Sequence, residues 1–272
     1  MTWKLSYFDP QTVPVEVEGI LPAKLKELTR TQIERLPILV GNRQIALAEL
    51  FTVSGNGDDE RIELEGQLEG VHWIGAGMNS GQIHVSGNAG RHAGGEMQGG
   101  RLDVDGNAGD WLGAEMTGGR IRVRGSAAHS VGAAYRGSRC GMTGGTILVD
   151  GSVGNELGHT MRRGLFAVGA DAGDVAGFNM LAGTILVFGN TGIRHGAGMK
   201  RGTLCFFGSD RPPLLPTFQY ACRFRPLALN LVFRQLRELE YAPVSSVDVP
   251  IVELYNGDFL AGGRGEILIA AV

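Results

Sequence analysis

Cysteine is scarce in this chain: Cys140, Cys205 and Cys222 are its only thiols, odd in number and without CxxC or Cys-His spacing. That pattern argues against a disulfide framework and a sequence-readable zinc site, and it predicts reduced, mostly buried thiols. Long apolar runs are missing as well. No stretch reaches the roughly 18 residues of a membrane-spanning helix, and Met1 to Glu18 lacks the basic-then-apolar order of a signal peptide. The expected location is the cytoplasm, with no membrane partner. Charge of one sign is not in excess: the net value is -3, and no basic stripe runs along the chain to displace counterions from phosphates. Nucleic acid is therefore not an expected partner. Catalytic signatures are also lacking, since HExxH, GxSxG and P-loop patterns do not occur, and Gly262-Gly263-Arg264-Gly265 is not followed by GK[ST].

What the chain has in abundance is glycine, 44 residues, against only 10 prolines. Without a collagen period or a disordered composition, glycine on this scale is positional. Its positions repeat. Met78, Met97, Met116, Met142, Met161, Met180 and Met199 are nineteen residues apart except for one step of twenty-six. Gly81 to Gly202 and Gly75 to Gly196 keep the same register and the same single irregularity. An insertion of seven residues within Ala133 to Gly141 accounts for all three shifts.

Each unit carries a short alternating segment, as in Arg101-Leu102-Asp103-Val104-Asp105, which is the period of a half-buried strand. Stacking the units aligns Ile83, Leu102, Ile121, Ile147, Phe166, Ile185 and Leu204 in one inward column and Val85 to Phe206 in the next. Glycine, replaced once by Ala170, followed by Asn, Asp or Ser closes each strand, as corners require. The expected fold is mainly β: a right-handed parallel β-helix of about seven 19-residue coils with short α/β caps at both ends. Three segments follow: residues 1–61 as an N-terminal capping segment, 62–208 as the β-helix, and 209–272 as a C-terminal helix and strand segment. Thr31 and Glu34 stand at capping-box spacing, and Pro22 marks an upstream helix start.

The outward columns change along the rod. Early coils present Arg101, Asp103, Arg120, Arg122 and Arg124, whereas late coils present Leu148, Leu165, Ala167, Leu186, Phe188, Cys205 and Phe207. An apolar face of that size needs a cover. Leu229, Val232, Phe233, Leu236 and Leu239 share one helical face and are the candidate cover, with another subunit as the alternative.

The methionine column is read as core packing. The six histidines occupy different columns with no recurring acidic partner, so no metal ligation is expected. Glu96 and Glu115 stack in one column, but interleaved arginines favour a solvated charged face over a catalytic carboxylate pair. One basic constellation carries a binding hypothesis. Arg162-Arg163 and Lys200-Arg201 occupy the same two columns two coils apart, roughly 10 Å, with Arg194 nearby in the last coil. Such an edge could grip a run of carboxylates.

The pattern Gly106-x-x-Gly109-x-x-x-Gly113-x-x-Met116-x-Gly118-Gly119 resembles the glycine-rich coil of the glutamate synthase C-terminal domain, a non-catalytic right-handed β-helix. With the Val40-Gly41-Asn42 to Leu50-Phe51 lead-in and the Gly265-Glu266-Ile267 ending, the fuller resemblance is to the C subunit of formylmethanofuran dehydrogenase and of the related formyltransferase/hydrolase complex. The first coil departs from the pattern, with Leu68 and Val71 where glycines would fall. This resemblance implies a non-catalytic scaffold and binding subunit, assembled with amidohydrolase-like, formyltransferase and dehydrogenase-like subunits. The complex would convert formyl-tetrahydromethanopterin through formylmethanofuran to formate. Its cofactors would be a methanofuran-type carrier, tetrahydromethanopterin and a metal in the amidohydrolase subunit, with none bound by this chain alone. A glutamylated carrier tail would be the ligand of the basic edge. A detached glutamate synthase-like module and a stand-alone carbohydrate-active β-helix enzyme are the alternatives, the latter requiring a catalytic cleft that the residues do not supply.

Overall fold

The computed structural model describes residues 2–271. Strand β1 (Trp3–Tyr7) alternates buried and half-exposed residues, followed by β2 (Val15–Glu16), helices α1 (Pro22–Leu25) and α2 (Arg30–Glu34), and strands β3 (Pro37–Val40), β4 (Arg43–Ala46) and β5 (Phe51–Gly55). Pro22 opens α1, where its missing N–H costs nothing. The capping box of α2 lies two residues before the expected pair. Thr29 is extended and caps the helix, and Gln32, not Glu34, returns the bond with an oxygen 2.8 Å from the Thr29 N–H. Thr31 is already helical, so its hydroxyl cannot cap.

The array begins with β6 (Arg61–Glu65) and, after the short β7 (Val71–His72), continues through β8 (Gln82–Ser86), β9 (Arg101–Val104), β10 (Arg120–Val123), β11 (Thr146–Val149), β12 (Leu165–Val168), β13 (Thr184–Val187) and β14 (Arg201–Phe206). From β6 to β14 these strands, β7 excepted, pair in parallel, and the register aligns Ile62, Ile83, Leu102, Ile121, Ile147, Phe166, Ile185 and Leu204. A second parallel line of contact runs through Ala89, Ala108, Ala127, Val153, Ala172 and Thr191. Each unit thus touches the next along two lines, and the chain stacks as turns. All seven repeat methionines are fully buried. Gly119 shows why the register needs glycine: its φ is 86°, and a Cβ there would lie 2.7 Å from Met97 Cε of the preceding turn. At Gly132, φ 62°, a side chain would collide with the Phe166 ring.

Corner side chains close the backbone account. Asn88, Asn107, Ser126, Ser152 and Asp171 each accept the N–H of the residue one turn on, with distances from 2.7 to 3.3 Å. A second ladder does the same through His72, Asp110, His129, Asn155 and Asp174. Contrary to the sequence expectation, His72 and His129 therefore share a column, where a ring nitrogen substitutes for the carbonyl or carboxylate oxygen used elsewhere.

The flanks enter the same sheet. Strand β1 pairs in parallel with β6, setting Trp3 beside Ile62 and Leu5 beside Leu64, and antiparallel with β5. At the other end come β15 (Gln219–Phe224), α3 (Leu229–Glu238), β16 (Val252–Gly257) and β17 (Arg264–Ala270). Strand β17 pairs in parallel with β14, bringing Ile267 beside Leu204, and β16 and β15 follow antiparallel. The result is a 13-stranded mixed sheet, beside a four-stranded sheet of order β4-β3-β2-β7. One core runs from Trp3 to Ile269. Gly262 and Gly263, both at positive φ, form the turn into β17 instead of a phosphate loop.

Helix α3 covers the late outward face. Leu229, Phe233 and Leu236 pack with Leu148, Leu165, Ala167, Leu186 and Cys205 in a second core, with Val232 and Leu239 at its margin. Tyr241, just beyond the helix, is fully buried and donates its hydroxyl to the Val149 carbonyl at 2.9 Å. The chain itself is the cover that the apolar face requires.

Candidate functional site

The basic edge forms where two strand entries follow the buried methionines. Arg162 and Lys200 each donate the backbone N–H to a methionine carbonyl of the previous turn, Met142 at 2.9 Å and Met180 at 2.8 Å, which fixes them in one column. Leu181 and Ala182 occupy that column in the intervening turn. Arg162, Arg163, Lys200 and Arg201 are all exposed, and none has an ion-pair partner among the described residues. Arg264 joins them, because β17 sets it directly beside Arg201. Adjacent like charges on neighbouring strands are unfavourable, so this edge gains from an anion. Arg194 is exposed too, but it sits at a different corner with φ 61°, separated from Lys200 by buried His195, Gly196 and Met199. The structure brings four of the five expected residues together, adds Arg264, and sets Arg194 apart.

The insertion makes a feature that reading the sequence missed. Trp73, His92 and Trp111 are nineteen residues apart and stack, with Trp73 and His92 ring centroids 4.2 Å apart and 8° from parallel, and His92 and Trp111 at 6.4 Å and 13°. Tyr135 from the inserted loop closes over them, 5.3 Å from Trp111 and 5.6 Å from His92. Its N–H donates to Glu115 at 2.8 Å, so Glu115 holds the loop and is not poised for acid-base work. Glu96 of the same column is exposed. Burial and then the Glu96 and Glu115 charges push the Tyr135 phenol pKa up, keeping its proton on. The shared spacing of the three rings was the available signal.

The other candidate groups are structural. His195 is buried, contacts the Gly192 carbonyl through Nε2 at 2.9 Å, and has its pKa lowered chiefly by burial. Burial and then Glu266 raise the Cys205 thiol pKa, which suppresses thiolate chemistry. All three cysteines are free, with Cys140 half-buried and Cys222 exposed. Among the described residues no group of three or more His, Cys, Asp or Glu is placed to hold a metal ion. No described helix is long and apolar enough to cross a membrane.

Comparison with known proteins follows the same array. The family model described as the GXGXG motif matches residues 65–214. The C subunit of tungsten-containing formylmethanofuran dehydrogenase 2 from Methanococcus maripaludis is 34% identical over 82 residues, covering 30% of this chain and 30% of the relative. The C subunit of the molybdenum-containing dehydrogenase 1 from Methanothermobacter marburgensis is 37% identical over 83 residues, covering 30% of this chain and 21% of the relative. The sequence alignments thus span less than a third of these curated relatives. A chain in the crystal structure of the formyltransferase/hydrolase complex (FhcABCD) from Methylorubrum extorquens, in complex with methylofuran, superposes with a TM-score of 0.91 at 31% identity, over 99% of this chain and 100% of that one.

Proposed function

Because the chain belongs to the GXGXG-motif family and is homologous to the C subunit of formylmethanofuran dehydrogenase, we propose that it is the non-catalytic scaffold and binding subunit of a formyltransferase/hydrolase complex. The observation that carries this reading is the end-to-end likeness to a chain of the Methylorubrum extorquens complex. Its array is a right-handed parallel β-helix of about seven 19-residue coils, residues 62–208, closed by a capping segment, 1–61, and a helix and strand segment, 209–272. The two parallel lines of contact between successive turns support that description.

In this reading the chain works in the cytoplasm with amidohydrolase-like, formyltransferase and dehydrogenase-like subunits. The complex moves a formyl group from tetrahydromethanopterin to a methanofuran-type carrier and releases formate. In the same reading the metal of the complex would lie in the amidohydrolase-like partner. The basic edge, Arg162, Arg163, Lys200 and Arg201 with Arg194 beyond it, would hold a glutamylated carrier tail through charge-assisted hydrogen bonds. Purification of the tagged chain from its native host tests the proposal. Larger metal-dependent subunits should accompany it, and the isolated chain should lack formyl-transfer and hydrolytic activity. Partners that handle glutamine, or an active monomer, would overturn it.

A further inference from the structure

The long sheet ends at β15, which among the described residues pairs with β16 and no other strand. Alternate residues of a strand paired on one side direct their N–H and C=O groups away from that partner, and no other described backbone group meets them. All six residues of β15 are exposed, whereas the opposite edge strand, β5, is packed by α2. Apolar side chains border the bare edge. Tyr220 and Phe224 lie on it, Ile251 precedes the residue that pairs with Phe224, and Leu227 and Leu231 follow four residues apart at 71% and 62% exposure. Single exposed leucines are ordinary. A group of large apolar side chains beside an unpaired strand marks an interaction surface.

Charge identifies what this surface takes. From Arg211 to Arg237 the chain holds five arginines and no carboxylate. Glu253 matches Arg211 at 2.6 Å, and Glu238 and Asp248 face Arg234 and Arg237 at 3.9 Å. Arg223 on the edge and Arg225 just beyond it have no ion-pair partner among the described residues. We propose that β15 is a docking strand for an extended, acidic segment of another polypeptide, which joins the sheet as a further strand. Backbone chemistry selects the class, because an extended chain matches a row of alternating donors and acceptors. Its alternate side chains reach Phe224, which stands opposite Val252 of the core beneath α3 and so lies on the α3 side. Arginine sets the sign. The edge charges and the bulge between Tyr220 and Cys222 hold like edges apart. A second copy would lay one basic strand against another, whereas a carboxylate-bearing segment gains from Arg223 and Arg225 alike. Only the presence of protein partners is taken from the function proposed above, and the residues are other than those of the basic edge.

Hydrogen exchange, resolved to single residues and compared between the native assembly and the isolated full-length chain, tests the proposal. Amides of β15 that point away from β16 should exchange at least about tenfold more slowly in the assembly, since pairing withdraws them from water. Reversal of Arg223 and Arg225 to glutamate should abolish that protection, and Arg223→Gln with Arg225→Gln should reduce it. The melting temperature of the isolated chain should stay that of the parent in both variants, because both positions are exposed. No added protection in an assembly that retains its companions, or protection that survives the reversal, overturns this docking strand alone. Protection that grows with the concentration of the isolated chain assigns the edge to a second copy, and equal protection by phosphatidylserine vesicles assigns it to a lipid surface; either result overturns it too. A chain recovered without companions overturns it together with the proposed assembly.

Discussion

His72 stands where the backbone of the next turn needs an acceptor: the Arg91 N–H reaches its Nδ1 at 2.8 Å. That bond requires an unprotonated Nδ1, and burial followed by the Arg91 charge lowers the His72 pKa from its ordinary 6.5. His92 and His195 are shifted in the same direction, each chiefly by burial. The sign for stability follows. Between the lowered folded values and 6.5 the unfolded chain binds more protons, so stability is full above 6.5 and declines as the pH falls below it. His72→Asn offers an amide oxygen, the acceptor already used at Asn88 and Asn107, and removes one of these titrations. Melting temperatures measured between about pH 7.5 and about pH 5.5 should fall less steeply in this variant than in the parent. An unchanged slope would mean that His72 does not contribute to the acid sensitivity. Substitution by alanine should instead cost about 0.5–1.5 kcal/mol at neutral pH, the net worth of one hydrogen bond.

Among the elements, α3 carries the clearest energetic assignment, because its two faces differ so sharply. Phe233 is 1% exposed, 5.9 Å from the Phe207 ring and 6.1 Å from Phe188, whereas Leu231 is 62% exposed on the opposite side. Phe233→Ala should destabilise the fold by about 3–5 kcal/mol through lost burial and a cavity over the late strands. Leu231→Ala should stay within about 0.5 kcal/mol. Denaturant unfolding of the two variants compares them directly, and equal effects would show that α3 does not anchor through this face. The helix was legible because Leu229, Phe233 and Leu236 follow its period, and its docking site was legible because outward columns turn apolar at Leu148 and after. The α2 cap was legible in kind but not in register, since Thr29 and Thr31 each precede a suitable partner by three residues and only the backbone geometry chooses between them.

Across the whole molecule, nineteen-residue periodicity made the interior readable, while departures from it hid the contacts that sequence distance separates. Alternation in Trp3–Tyr7 does not name β6 as its neighbour, and nothing local places Arg264 beside Arg201. The Tyr135 clasp escaped because Tyr135 lies in the insertion, outside the repeat, so no column places it over Trp73, His92 and Trp111. The basic edge was visible in the columns, yet its strength as a surface comes from long-range assembly: β17 adds a cation, and no described carboxylate pairs with Arg162, Arg163, Lys200 or Arg201. Such a surface should bind poly-glutamate in a salt-sensitive manner, since exposed charges are screened over about 8–10 Å at moderate ionic strength. Reversal of Arg162, Arg163, Lys200 and Arg201 to glutamate removes four contacts worth about 0.5 kcal/mol each, or about 2 kcal/mol together. Affinity measured by calorimetry should therefore fall at least about tenfold. The same substitutions lie on exposed positions and should leave the melting temperature close to that of the parent, so a binding loss without unfolding identifies the edge. Unchanged poly-glutamate affinity in the reversed variant would remove this surface from the binding role. Arg194→Glu alone, at its separate corner, should have the smaller effect because buried His195, Gly196 and Met199 lie between it and the other cations.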